Sequence, residues 1–393
     1  MNYILFDDVL VRKHLLPFTF TRPVCDIRIG ILTIKEKWEH ELKKKVSVKT
    51  EEYLSVKYPQ LVSGKEDNIW INGSILPSAL LLKSIKCLKE NQALFCNGTL
   101  IAVNSGKAVI DKFPTIKIGE DVKEKLFRIE RLWDIFSKNG DAIEQDFVRL
   151  TKGRKSAKVS STNTLIGKRI FIEKGAKLEC AILNSTSGPI YIGKNAEIME
   201  GSILKGPIVI GDESVVKAGA KIYGATTIGP HSKVGGEISN SVLFGYSNKG
   251  HDGFLGNAVL GEWCNLGADT NNSNLKNNYS EVKLWDYAES KQTPTGLTFC
   301  GLIMGDHSKC GINTMFNTGT VVGVSANIYG GNFPPKFVPS FSWGGADGFV
   351  TYELNKACET AERVFERRHK KFDKTDKQIL AKVFSAEAKY RKK

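Results

Sequence analysis

The sequence predicts a mixed α/β domain, then a parallel β-helix of hexapeptide repeats, then C-terminal helices. Three observations carry that prediction. Aliphatic residues recur at every sixth position over Ile192, Ile198, Leu204, Ile210, Val216, Ile222, Ile228 and Val234. The hexapeptide Gly188-Pro-Ile-Tyr-Ile-Gly193 returns eighteen residues on as Gly206-Pro-Ile-Val-Ile-Gly211, and more loosely as Gly224-Ala-Thr-Thr-Ile-Gly229. Residues 1–150 show no such period.

The period of six is the strongest signal. Helices repeat at about 3.6 residues and ordinary strands at about 2, so neither produces it. With about a quarter to a third of residues aliphatic, a run in step from Ile192 to Val234 arises by chance roughly once in ten thousand trials. The eighteen-residue recurrence makes three hexads one coil, with three short strands, three corners and an inward aliphatic residue on each side. Coils stacked at the ~4.8 Å inter-strand spacing pair their backbones with the coils above and below. The same frame is expected at Ile166, Ile172 and Leu178, at Phe254, Leu260 and Leu266, and at Met304, Cys310, Phe316, Val322 and Ile328. Two stretches break it and read as loops, a short one at 239–253 and a long polar one at 271–298. Loops thrown out from a rigid solenoid are where binding concentrates.

In the first domain, placed at 1–150, Tyr3 to Phe6 reads as a short buried strand, and 68–71 and 93–96 as further strands. Ile27, Ile31, Ile34, Trp38 and Leu42 form a helical stripe. A polar, basic linker is expected at 151–162, the β-helix at 163–331 and the arm at 332–393. In the arm, Leu354, Ala361, Val364 and Phe365 mark one helix. Ile379, Leu380, Val383 and Phe384 mark another, with Thr375 or Asp376 as N-cap.

The 393 residues are 41% hydrophobic and 25% charged, which suits a globular protein of more than one core. No apolar run reaches the ~20 residues of a membrane span, and the N-terminus is not signal-like, so a cytoplasmic protein is expected. The net charge of +14 leaves three readings: solvated faces, nucleic acid, or attraction of phosphorylated small molecules. Nucleic acid is not the expected partner. None of the eight cysteines has C-x-x-C spacing, so reduced, mostly buried thiols are expected.

Among six histidines, His251 stands where the repeat breaks, in Lys249-Gly-His-Asp-Gly253. Acyl transfer from a thioester to an amine needs a base, and imidazole exchanges a proton near neutral pH. The alternative is a loop histidine bonded to nearby backbone. His231 and His307 fall inside regular hexads and read as solenoid-surface residues, without the close pairing a zinc site needs. The run Gly267-Ala-Asp-Thr-Asn-Asn-Ser-Asn274 offers amides that suit a hydroxyl-rich ligand such as a sugar, or simply a series of turns.

These residues resemble a known family. From 163 to 331 the chain looks like the acetyltransferase half of the bifunctional N-acetylglucosamine-1-phosphate uridyltransferase/glucosamine-1-phosphate N-acetyltransferase family, most strongly from His251 onward. The resemblance implies a left-handed β-helix, a homotrimer with each site built between prisms, acetyl-CoA as acyl donor and His251 as general base. It implies Asn274 on the sugar and acetyl-CoA contacts at Ala268, Ile312 and Gly330. Lys217-Ala-Gly-Ala-Lys-Ile222 loosely resembles the family's arginine motif for sugar phosphate, its lysine motif is replaced by Ser239-Asn-Ser241, and Phe254 replaces a tyrosine.

By the same resemblance the first domain is nucleotidyltransferase-like. Arg12 precedes Pro17-Phe-Thr19-Phe-Thr-Arg22-Pro23, which keeps the family's Pro/Thr/Pro spacing. The Gly-rich loop that lets backbone N–H groups approach phosphate is missing, and Val24 stands where a lysine belongs. Arg22 or Arg28 would replace the lost cation. Nucleoside triphosphate (UTP) and Mg²⁺ held by Asp7 or Asp8 would be the partners, with a strand-end turn as the alternative for those aspartates. The implied function is acetyl-CoA-dependent acetylation of a hexosamine 1-phosphate coupled to uridylyl transfer in nucleotide-sugar synthesis. The rivals are a sugar-1-phosphate nucleotidyltransferase using the β-helix as an oligomerisation scaffold, and a non-catalytic binding protein.

Overall fold

The structure, a computed structural model, describes residues 1–105, 117–118 and 126–391. The chain forms two compact units. One holds Met1–Leu15, Arg22–Ile27 and Leu32–Arg131; the other holds Leu16–Thr21, Arg28–Ile31 and Leu132–Lys393.

The first unit is built on a mixed sheet of β1 (Asn2–Phe6), β2 (Ser47–Lys49), β3 (Asn68–Asn72), β4 (Gln92–Cys96), β5 (Thr99–Asn104) and β6 (Lys117–Ile118), in the order β2-β1-β3-β5-β4-β6. β1 runs parallel to β2 and β3, while β5 runs antiparallel to β3 and β4. Ile4, Phe6, Trp70, Ala93 and Val103 make a buried cluster on it. The helical stripe is shorter than its apolar spacing predicts. Helix α1 spans Val9–His14, and α2 only Ile34–Leu42. A capping box starts α2: the Glu36 N–H donates to the Thr33 hydroxyl (3.1 Å) and the Thr33 N–H to the Glu36 carboxylate (2.7 Å). Ile27 and Ile31 lie upstream of that cap, buried but not helical.

The second unit is a parallel β-solenoid of about ten turns with three faces. Its register is the sequence period made visible: Ile192 pairs with Ile210, and Ile210 with Ile228. All eight residues of the sixfold run are at most 1% exposed and share one core. Each strand is only two to four residues long, too short to persist alone. The backbone pairing between coils and the continuous aliphatic interior hold the stack together.

The frame slips where corners change length, and this corrects three expectations. Val234 pairs with Lys249, fifteen positions on rather than eighteen. Segment 239–253 is therefore no ejected loop, because Val242–Gly245 and Asn248–Lys249 are regular strands of the stack. On the first face the inward column runs Leu165, Leu183, Leu204, Ile222, Ile238, Leu255. Ile166 and Phe254, expected in that column, point the other way in the pleat: Ile166 pairs with Asn184, and Phe254 with Glu237. The long stretch after Asn271 is an excursion, as its polarity suggests, and carries an antiparallel hairpin of Lys283–Asp286 on Lys291–Pro294.

Helix α3 (Asn139–Thr151) belongs to the solenoid unit although most of it precedes residue 150. Asn139 Nδ2 donates to the Ala225 carbonyl (2.8 Å), and Glu144 pairs with Arg169. Helices α4 (Leu354–Glu366) and α5 (Lys374–Ala386) dock on the prism. The N-cap of α5 is Asp373, two residues before the expected Thr375, and Asp376 is its capping-box partner. Docking uses an aromatic ladder on the corner between the second and third faces. His231 stacks on Tyr246 (4.6 Å), Tyr246 on Trp263 (4.2 Å), and Phe365 of α4 on Trp263 (4.0 Å). His307 lies 6.0 Å from the Phe365 ring, so His231 and His307 are members of a packed ladder rather than plain surface residues. Among the described residues no helix is long and apolar enough to cross a membrane.

Candidate active site

One corner of the prism, between the third and first faces, gathers most of the residues the sequence singles out. Coil by coil it reads Lys217, Gly235-Gly236, His251, Ala268, Ile312 and Gly330, each just beyond a strand of the third face. Residues far apart in sequence become neighbours because each coil returns the chain to the same edge. A Cβ on Gly235 would meet Lys217 Cβ at 3.2 Å and the Gly250 carbonyl oxygen at 2.8 Å. The Asp269 N–H donates to the Asp252 carbonyl (3.2 Å), and the Asn313 N–H to the Ala268 carbonyl (2.8 Å).

His251 is exposed on this corner, and the space beside Gly250 is open. The preceding corner is only Gly235-Gly236, so no side chain stands between Lys217 and the His251 coil. Gly236 has φ +69°, and a Cβ there would lie 2.9 Å from the His251 carbonyl oxygen and 2.8 Å from Asp252 Cα. Ile312 is 68% exposed and Gly330 is open, so this edge offers an apolar contact and accessible backbone.

Phe254 and Asn274 converge beside it on the first face. A Cβ on Gly256 would sit 2.4 Å from Phe254 Cζ and 2.8 Å from Asn274 Nδ2. Asn274 Nδ2 donates to Asn257 Oδ1 (2.8 Å), and the Phe254 N–H donates to Asn271 Oδ1 (2.8 Å). Asn272 is buried in the inward column, with its amide bonded to both the N–H and the C=O of Gly256.

Two features escape the sequence reading. Lys249 occupies an inward core position, paired with Val234, where other coils place aliphatic residues. It is 2% exposed, and its ammonium donates to the carbonyls of His251 (2.6 Å) and Asp252 (3.0 Å). Burial pulls its pKa down to about 8, opposed by Asp252 and Asp269. The signal for it was present, since Leu243, Lys249 and Leu255 lie six apart. The second feature is a cation cluster beside the corner. Lys233 pairs across strands with Asn248, whose side-chain oxygen accepts from Arg368 of the arm (3.2 Å). Burial, then Arg368, Lys217 and Arg367, hold the Lys233 pKa below the usual lysine range. No spacing rule could place Arg367 and Arg368 there, because docking of the arm brings them.

The nucleotidyl candidates are not gathered in the same way. The Asp7 side chain is nearly buried, and both its oxygens are engaged. One accepts from the Val24 N–H (2.8 Å), the other from the Thr50 hydroxyl (2.6 Å) and Arg12 (3.0 Å). Burial raises the Asp7 pKa, and Arg12 with those hydrogen bonds pulls it back. Arg12 also reaches the Arg22 carbonyl (3.3 Å) and the Tyr53 hydroxyl (3.1 Å). Asp8 caps α1, accepting from the Leu10 and Val11 N–H groups. A carboxylate held by an arginine and a carboxylate capping a helix do not fit the Mg²⁺ role expected of them, and no group of three or more metal-ligating side chains occurs among the described residues. Arg22 is buried, and its charge opposes the burial that raises the Asp26 pKa. Thr19 is fully buried in a short 3₁₀ turn of the solenoid unit, next to Phe18, whose ring packs 4.9 Å from Phe244. Arg28 donates to the carbonyls of Phe244 (3.0 Å) and Ile31 (2.5 Å), a structural use of its charge.

Residues 3–155 match the profile of a family described as sugar nucleotidyl transferase. The chain is 34% identical over 146 residues to a bifunctional sugar-1-phosphate nucleotidylyltransferase/acetyltransferase of Sulfurisphaera tokodaii, covering 37% of this chain and 36% of the relative. It is 32% identical over 87 residues to the bifunctional protein GlmU of Methanocaldococcus jannaschii, covering 22% of this chain and 21% of the relative. The matched parts thus span about a third or less of the relatives' own length. The chain is thus similar over residues 3–155 to sugar nucleotidyl transferases, and over at most 37% of its length to the two bifunctional relatives.

Proposed function

We propose that the chain is a bifunctional sugar-1-phosphate nucleotidyltransferase/acetyltransferase whose acetyl transfer takes place at the His251 corner. The observation that carries this reading is the alignment of Lys217, His251, Ala268, Ile312 and Gly330 along one edge, with Phe254 and Asn274 converging beside it. His251 takes a proton from the amino group of a hexosamine 1-phosphate. The amine nitrogen bonds to the thioester carbonyl of acetyl-CoA, the C–S bond breaks, and the imidazolium returns the proton to the departing thiolate. Backbone N–H groups along the corner stabilise the oxyanion, typically a large contribution. Asn274 and Phe254 position the sugar. Lys217, Lys233, Arg367 and Arg368 hold its phosphate, as a cluster of cations with one arm-borne guanidinium already oriented by Asn248 would. A homotrimer completes each site from a neighbouring prism, and the first domain transfers uridylyl from UTP.

The test couples two readouts on the full-length protein. With glucosamine 1-phosphate and acetyl-CoA, free-thiol release should be seen in wild type and be lost in His251→Ala. Pyrophosphate release from UTP and N-acetylglucosamine 1-phosphate should survive in that variant. Undiminished thiol release would overturn the assignment of His251. Pyrophosphate release with no thiol release in wild type would favour the prism as scaffold alone.

A further inference from the structure

A second concavity lies on a different edge, where α4 covers the third face next to the corner that carries His307 and Ser325. Its volume is about 220 Å³, below the roughly 300–1,000 Å³ of pockets for drug-sized ligands, so it suits a small metabolite. Lys309, Asn327 and Trp343 form its prism wall, and Tyr352, Ala357 and Thr360 the opposite wall. The two alanine-bearing turns of α4, at Ala357 and Ala361, leave the space that larger side chains would fill.

The charge balance of this cavity is unusual. Lys309 extends into it from a third-face strand and donates to the His307 carbonyl (2.8 Å), leaving further ammonium protons to be satisfied. No carboxylate is among the lining residues. Lys249, another enclosed lysine, is by contrast attracted by Asp252 and Asp269. Burial lowers the Lys309 pKa to about 8, with only the Cys264 thiol opposing. Holding an ammonium in an enclosed space without a counter-charge is costly, and a bound anion removes that cost. The Ser325 hydroxyl at the wall makes no hydrogen bond. The indole of Trp343 and the methyls of Ala357 and Ala361 suit a short carbon skeleton rather than a bare inorganic ion.

We infer that this cavity binds a small carboxylate of a few carbons, its carboxylate on Lys309 and its body between Trp343 and α4. Because both walls are needed, such a ligand would clamp the arm to the prism. The arm also carries Arg367 and Arg368, so occupancy would tighten the cation cluster beside the His251 corner.

Isothermal titration calorimetry on the full-length protein tests this with pyruvate, propionate and inorganic phosphate as probes. At least one of the two carboxylates should bind wild type more tightly than phosphate does, and Lys309→Met should weaken it at least tenfold while retaining the wild-type circular dichroism. Lys309→Arg, which keeps the charge, should retain more binding than Lys309→Met. Absence of carboxylate binding up to millimolar concentrations, equal binding in Lys309→Met, or tighter binding of phosphate would each overturn the inference.

Discussion

The Lys249 ammonium lies 2.6 Å from the His251 carbonyl oxygen, inside a prism whose other inward positions are almost all apolar. It ties down the corner from which the imidazole projects. A buried cation is a poor stabiliser by itself, and replacing one with an apolar residue of similar volume is often neutral or stabilising. Its bonds to the His251 and Asp252 carbonyls suit positioning rather than stability.

Lys249→Met should therefore leave the melting temperature unchanged or higher, yet lower kcat for thiol release about 10- to 100-fold, since small misplacements of a catalytic group cost that much. KM should change little. Calorimetry and steady-state kinetics decide it: a variant with wild-type kcat would remove Lys249 from any positioning role.

Gly236→Ala tests the same corner from the neighbouring coil. The added methyl meets Asp252 Cα at 2.8 Å and the His251 carbonyl at 2.9 Å. Gly219→Ala is the control, because Gly219 has nearly the same φ (+71°) but nothing near its Cβ position. Both should lose about 1–2 kcal/mol from left-handed backbone strain. Only Gly236→Ala should also lose thiol-release activity. Equal activities in the two variants would show that the corner tolerates the shift.

Arg368→Ala and Lys233→Ala should raise the KM for the phosphorylated amino sugar roughly tenfold, as expected for loss of a charge-assisted contact. The difference from wild type should shrink as salt rises, because the Debye length falls from about 10 Å at 0.1 M to about 3 Å at 1 M. A KM effect independent of salt would point to packing of the arm instead.

Glu387 gives the arm a pH dependence. Its carboxyl is buried, accepting from Tyr287 (3.2 Å) and Ser340 (3.3 Å). Burial pushes its pKa up to about 7, opposed by those bonds and Arg391. A carboxyl with a raised folded pKa binds its proton more tightly folded than unfolded. Its stabilising contribution is complete below about pH 4.5 and is lost as pH rises through 7. The solenoid unit should lose up to about 3 kcal/mol between pH 4.5 and 8 from this group. Glu387→Gln should flatten that part of the melting-temperature profile; an unchanged slope would assign the dependence elsewhere.

The inward step from Ile192 to Val234 was legible because it is local: each coil must turn an aliphatic residue inward at each side, so the period is written along the chain. His251 and its flanking glycines were legible for a related reason, since they mark the place where that period fails. Which corners were shortened was not, because Val234 and Lys249 reveal their pairing only once neighbouring coils are stacked. The placement of Ile166 and Phe254 turned on a one-residue slip, which reverses the face of a side chain in a strand. Arg368 beside Lys233, Phe365 on Trp263 and the cavity around Lys309 belong wholly to tertiary structure. They arise when a helix more than a hundred residues beyond Asn248 folds back onto the prism, and no period along the chain encodes a contact of that range.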